Sequence, residues 1–78
     1  MYLVNRIEDA AVKYTDARQT ISQFILQEAS HLHEYSIDQI AEKTFTSKAT
    51  VTRYAKSLGC GGWREFIREF IKNIRRPG

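Results

Sequence analysis

Residues 47–58 read SKATVTRYAKSL, and the groups in that run that can do chemistry are suited to an anion. Ser47, Lys48, Thr50, Thr52, Arg53 and Lys56 supply hydroxyls and positive charge, with no acid among them. Val51, Tyr54, Ala55 and Leu58 recur at i, i+3, i+4 and i+7, the spacing of one buried helix face. The opposite face then carries Lys48, Ala49, Thr52, Arg53 and Lys56. A helix that needs only solubility usually mixes its charges; a one-signed face concentrates potential for a polyanion. Ser47 is the natural N-cap, and the free amides and positive dipole end beside it favour a phosphate. Arg53 lies one turn inside, where its fork can donate to the O6 and N7 of a guanine. Lys56 sits almost a turn further on, and its point charge suits a phosphate better than a base.

Plainer readings exist for these residues. Arg53 could be solvated or paired with an acid of the preceding helix. Thr50, at the third helical position, supports the cap more readily than it reads a base. Elsewhere the chemistry is thinner. His31 and His33 are too few ligands for a metal site. Cys60 follows a helix C-terminus and reads as a small packing residue. Trp63, Phe66 and Phe70 have the spacing of a buried stripe, not of a base-stacking platform. Arg64, Arg68, Lys72 and Arg75 could clamp phosphate, but Glu65 and Glu69 stand where they can pair with Arg68 and Lys72. No triad, paired-carboxylate site or phosphate-cradling loop is present, so no catalysis, cofactor or metal is expected.

Five helical segments must position the cationic run, and no stretch alternates as a strand would. The first covers about Tyr2 to Lys13, with Leu3, Ile7, Ala10, Ala11 and Tyr14 on one side. The second starts at the capping pair Thr15-Asp16 and buries Ala17, Ile21, Phe24 and Ile25. A loop, EASHLHEY, follows. The third begins at Ser36, which with Gln39 fits a capping box, while Tyr35 and Ile40 stand at the staple positions. The fourth is the opening run, closed by Gly59 at a left-handed C-cap position. The fifth covers about Gly62 to Ile74, with Trp63, Phe66, Ile67, Phe70, Ile71 and Ile74 as its stripe. Only Lys43 to Thr46 separate the third and fourth helices. So short a turn makes them cross steeply, as in a helix-turn-helix. Ala41 is small enough for the crossing, and Val51 and Tyr54 would lock the fourth helix onto the third. If the turn needs positive φ at Phe45, that side chain is expected to pack on apolar neighbours and offset the strain.

At 78 residues the chain is one domain with a marginal core. No apolar run approaches the roughly 20 residues of a membrane span, and no signal peptide is evident. A single cysteine fits a reducing cytoplasm. The net charge of +3 hides an asymmetry: residues 1–42 hold three bases against seven acids, and residues 43–78 nine bases against two acids. The second half is therefore the candidate surface for nucleic acid.

The stretch SIDQIAEKTFTSKATVTRYAKSLGCGGWREF resembles the N-terminal domain of the RpiR family of bacterial transcriptional regulators. Ser36-Ile37, Ile40-Ala41, the run S-x-A-T-V-x-R-Y over 47–54, Leu58-Gly59, Gly61-Gly62 and Trp63 carry the likeness. It departs at Phe45, where the family commonly has glycine, and at Thr46, where an aliphatic residue is common. The resemblance implies a five-helix, wingless all-α domain over 1–75 that binds double-stranded DNA, from a regulator of sugar metabolism. It also implies a linker from 76–78 into a missing sugar-isomerase-type domain that binds a phosphosugar effector. Because one short helix makes few base contacts, a homodimer on a pseudo-palindromic operator is expected. The alternative is a helical protein-interaction module whose basic face binds an acidic partner.

Overall fold

The computed structural model describes residues 3–74. Tyr2, Arg75 of the basic stripe and the expected linker at 76–78 lie outside the described residues. Five α-helices follow one another: α1 Leu3–Lys13, α2 Ala17–Gln27, α3 Ile37–Lys43, α4 Lys48–Ser57 and α5 Trp63–Ile74. No strand occurs among the described residues, and the fold is all-α.

One element differs from the sequence reading. The segment read as a loop winds into a 3₁₀ helix over Ala29–Glu34. His31 N donates to Glu28 O at 2.9 Å, and Tyr35 N to Leu32 O at 3.2 Å, the tight i→i+3 pattern of such turns. Leu32 is fully buried beneath it. The Tyr35 hydroxyl donates to Glu28 Oε1 at 2.9 Å and ties the two ends of the segment together. A single buried leucine among polar residues has no period, which is why the pattern did not show a helix.

The caps explain where the helices begin. Asp16 Oδ1 accepts from Arg18 N at 2.9 Å at the start of α2. At α3 the Ser36 and Gln39 side chains form the complete reciprocal box. The N-terminus of α1 is tied by another helix: Leu3 N donates to Asn73 Oδ1 at 2.8 Å, and Asn73 Nδ2 donates back to Glu69 O at 2.8 Å. That side chain joins the two ends of the domain.

The core gathers Ile7, Ile21, Ile25, Ile40, Val51 and Ala55 around the aromatic ladder of α5. Trp63 stacks on Phe66 at 4.7 Å between ring centroids, and Phe66 on Phe70 at 6.0 Å. All three are buried, as their spacing predicted. The Nε1 of Trp63 has no acceptor among the described residues, so this ring contributes through packing. Ile67 and Ile71 are half-buried, and Ile74, expected on the same stripe, is exposed at the helix end. Ala41 is buried between α3 and α4 as required. Tyr54 reaches further than the α3–α4 crossing assigned to it. Its ring meets Phe66 edge-on at 6.1 Å, and its hydroxyl lies 2.6 Å from Ser22 Oγ of α2.

That buried hydroxyl pair is testable. Tyr54→Phe strands the Ser22 hydroxyl and should cost about 1–3 kcal/mol, whereas Tyr54→Phe with Ser22→Ala should cost less than the single change. Urea unfolding of Tyr54→Phe, Ser22→Ala and the double variant measures the coupling. Burial pushes the Tyr54 hydroxyl up to about 12, with the Ser22 bond opposing; in the unfolded chain it ionises near 10. The stability gained by keeping it neutral is therefore intact below pH ~10 and lost as pH rises from there towards 12. Tyr54→Phe should lack that part of the alkaline decline.

Candidate nucleic-acid interface

The connection from α3 to α4 is set by backbone hydrogen bonds. Phe45 N donates to Glu42 O at 3.2 Å and Thr46 N to Ala41 O at 2.8 Å, with Phe45 at φ 58. This is the Schellman ending, whose left-handed residue is usually glycine. The end of α4 repeats it: Gly59 N donates to Lys56 O at 3.0 Å, Cys60 N to Ala55 O at 3.1 Å, and Gly59 has φ 93. Glycine adopts that conformation without a Cβ penalty, and phenylalanine does not. The expected packing of Phe45 on apolar neighbours is overturned: it is 92% exposed. The two backbone bonds demand the left-handed residue, and its side chain leaves on the solvent side. Thr46 is better accommodated. Thr44 is buried, its Oγ1 donates to Ile40 O at 2.7 Å, and it lies 2.9 Å from Thr46 Oγ1, so the turn satisfies a polar side chain at 46.

Successive residues of α4 turn by about 100°. Val51, Tyr54 and Ala55 are buried, and Ala49, Arg53 and Lys56 stand opposite them, all exposed. Lys48 and the half-buried Thr52 flank this stripe on one side. Lys48 Nζ lies 3.6 Å from Asp38 Oδ1 of α3, both side chains well exposed. Such a pair is worth little and exchanges readily. Asp38 of α3 thus meets Lys48, not Arg53. Thr50 and Ser57 flank the other side and line a cleft with Asp16, Ala17, Arg18, Ile21, Arg53 and Tyr54.

The first turn of α4 is a ladder of hydroxyls. Ser47 Oγ accepts from Thr50 N at 3.2 Å and lies 3.0 Å from Thr50 Oγ1. Arg53 Nη2 donates to Thr50 Oγ1 at 3.4 Å. Thr50 therefore supports the cap and steadies the arginine. Lys56, the remaining candidate, is exposed one helical step beyond Arg53 on the same stripe.

Ala49, put on the outward face by its spacing, sits at the centre of the stripe, where its small size lets a partner surface approach the helix. Two features of this surface carried no local signal. Arg6 of α1 donates from Nη1 to Leu58 O at 2.8 Å, bringing a positive charge to the C-terminal end of α4. A Cβ at Gly59 would lie 3.1 Å from that same nitrogen, a second reason for glycine there. Arg18 of α2 lines the same cleft as Thr50 and Ser57. These partners are distant in sequence, so only the fold brings them to α4.

Other candidates recede. On α5, Lys72 pairs with Glu69 at 3.4 Å, while Glu65 Oε2 accepts from Gly61 N at 2.6 Å instead of meeting Arg68. Cys60 is buried, and that burial raises its thiol pKa. Among the described residues no cluster of three or more His, Cys, Asp or Glu side chains could hold a metal ion.

Two short helices crossing over a tight turn, with a cationic face outward on the second, define a helix-turn-helix domain. The model of the rpiR-family helix-turn-helix domain matches residues 1–76, and the chain belongs to that family. It is 28% identical over 74 residues to an uncharacterised HTH-type transcriptional regulator of Clostridium perfringens, a match covering 95% of this chain and 26% of that protein. The chain thus spans about a quarter of the length of that relative. Membership of this family supports DNA binding. No helix among the described residues is long and apolar enough to cross a membrane.

The two Schellman endings generate a prediction. Phe45→Gly removes a left-handed strain of roughly 1 kcal/mol and loses almost no buried surface. The thermal midpoint should rise by a few degrees, on the scale of about 4–8 °C per kcal/mol for so small a domain. A lowered midpoint in a calorimetric scan would show that the exposed ring stabilises the turn.

Proposed function

We propose that the chain is the sequence-reading domain of a regulator of sugar or phosphosugar metabolism, with α4 in the major groove of double-stranded DNA. The observation that carries this reading is the outward stripe of α4: no acid, an arginine steadied by Thr50, and a small residue at its centre. Arg53 reads a base. Ser47, Lys48, Thr52 and Lys56 meet phosphates or groove edges, and Thr50 holds the cap. Phosphate contacts place the helix and base contacts specify the site. Two copies on a pseudo-palindromic operator would double the few base contacts that one short helix makes. The match to about a quarter of a longer regulator supports a domain over 1–75 and a linker from 76 into a further domain. By family likeness that domain would be of sugar-isomerase type and take a phosphosugar effector. A cytoplasmic location follows from this role.

Selection of bound sites from a random duplex library tests the reading, and inverted half-sites are the expected result. Against the selected duplex, Arg53→Ala should lose affinity and relax preference at one position per half-site, an effect worth ~1–3 kcal/mol. Lys56→Ala should weaken selected and random duplexes by similar factors and reduce the salt slope by about 1. Shallow salt dependence with no selected sequence would instead favour an acidic protein as the partner of this face.

A further inference from the structure

The cationic surface does not end at α4. Arg18, near the start of α2, lines the cleft that also holds Thr50, Arg53 and Ser57, beside the outward stripe. Two arginines from different helices thus stand on one groove. Arg18 is also held in place. Its guanidinium carbon lies 3.5 Å from the centroid of the Tyr14 ring. Nε donates to Asp16 Oδ1 at 3.1 Å, and Nη2 to Asp16 Oδ2 at 2.7 Å. These bonds use Nε and Nη2, and Nη1 has no partner among the described residues. A stacked, forked arginine loses little rotamer freedom when it binds, and its geometry suits phosphate. Its side chain remains 43% exposed. Lys13 Nζ, 5.6 Å from the centroid of the same Tyr14 ring, adds a further positive charge nearby.

We infer that Arg18 is a DNA-backbone contact, gripping a phosphate that flanks the base pairs under α4. The inference rests on α4 being the helix that enters the groove. Lys48 flanks the outward stripe of α4 on one side, and Arg18, in the cleft that flanks it on the other, is placed to meet the opposite edge of the groove. Asp16 positions Arg18 and competes with phosphate for it, so its charge sets the strength of the contact. Asp16 also caps α2, and asparagine caps equally well, which allows its charge to be removed without uncapping the helix.

The test uses the 78-residue chain and a duplex of about 25 base pairs carrying a site selected from the random library, long enough to cover two helical turns, titrated across salt concentrations. Arg18→Ala, shown folded by circular dichroism, should weaken binding and reduce the magnitude of the salt slope by about 0.9, the value for one released phosphate contact. Arg18→Lys should keep most of that slope. Asp16→Asn should tighten binding, and the gain should shrink when Arg18 is already alanine. Unchanged affinity and slope in Arg18→Ala, with Arg53→Ala still impaired, overturns the contact and leaves the α4 reading intact. An Asp16→Asn gain that is the same with and without Arg18 also overturns it, since a general charge effect would then suffice. If neither Arg18→Ala nor Arg53→Ala alters binding, the groove-entering role of α4 fails and this inference falls with it.

Discussion

Tyr54 brings a hydroxyl into a largely apolar interior, and the position of α4 depends on its being satisfied there. A buried polar group without a partner costs more than its hydrogen bond returns. Ser22 of α2 supplies the partner at 2.6 Å, and Phe66 of α5 supplies an edge-on ring contact. One side chain of α4 therefore determines its rotation against two other helices. Once Tyr54, Val51 and Ala55 face inward, Ala49, Arg53 and Lys56 have no alternative but to face outward. The orientation of the cationic stripe is a consequence of core chemistry.

The ends of α4 are held as firmly as its middle. Ser47 caps its start, and the Schellman bonds with the Arg6 guanidinium close its end. Arg6 comes from α1, which is itself joined to α5 through Asn73. Deleting or loosening α1 would thus reach the far end of α4 without altering any residue near its outward face. The acids are put to local use. Asp16 caps α2, Glu28 anchors the 3₁₀ turn, Asp38 meets Lys48, and Glu65 accepts from the Gly61 amide. Three of the seven acids of the first half, Asp16, Glu28 and Asp38, thus hold local partners, and α4 itself carries no acid.

Phe45 is the place where local and global preferences conflict. The α3–α4 turn requires a left-handed residue, and the sequence puts there an aromatic ring that the fold then leaves in solvent. The conflict is tolerated because two backbone bonds and the Thr44–Thr46 pair over-determine the turn. Gly59 shows the unstrained version of the same motif one helix later.

By itself the sequence determined the five α-helices, their caps, the aromatic stripe of α5 and the one-signed face of α4. These are short-range properties: a 3.6-residue period, a hydroxyl three residues before an amide, or a glycine after the last turn. They are legible because the atoms involved lie within a turn of one another. It also placed Thr50 in the cap correctly, since Ser47 is three residues away. What only the tertiary structure decided is who meets α4 from elsewhere. Arg6 lies 52 residues from Leu58 in sequence, Ser22 lies 32 from Tyr54, and Arg18 shares a cleft with Arg53 from another helix. No local pattern encodes such pairs. The 3₁₀ segment and the exposure of Phe45 belong to the same class. A lone leucine becomes informative only when the core beneath it exists, and a side chain's exposure is settled by what the rest of the chain leaves uncovered.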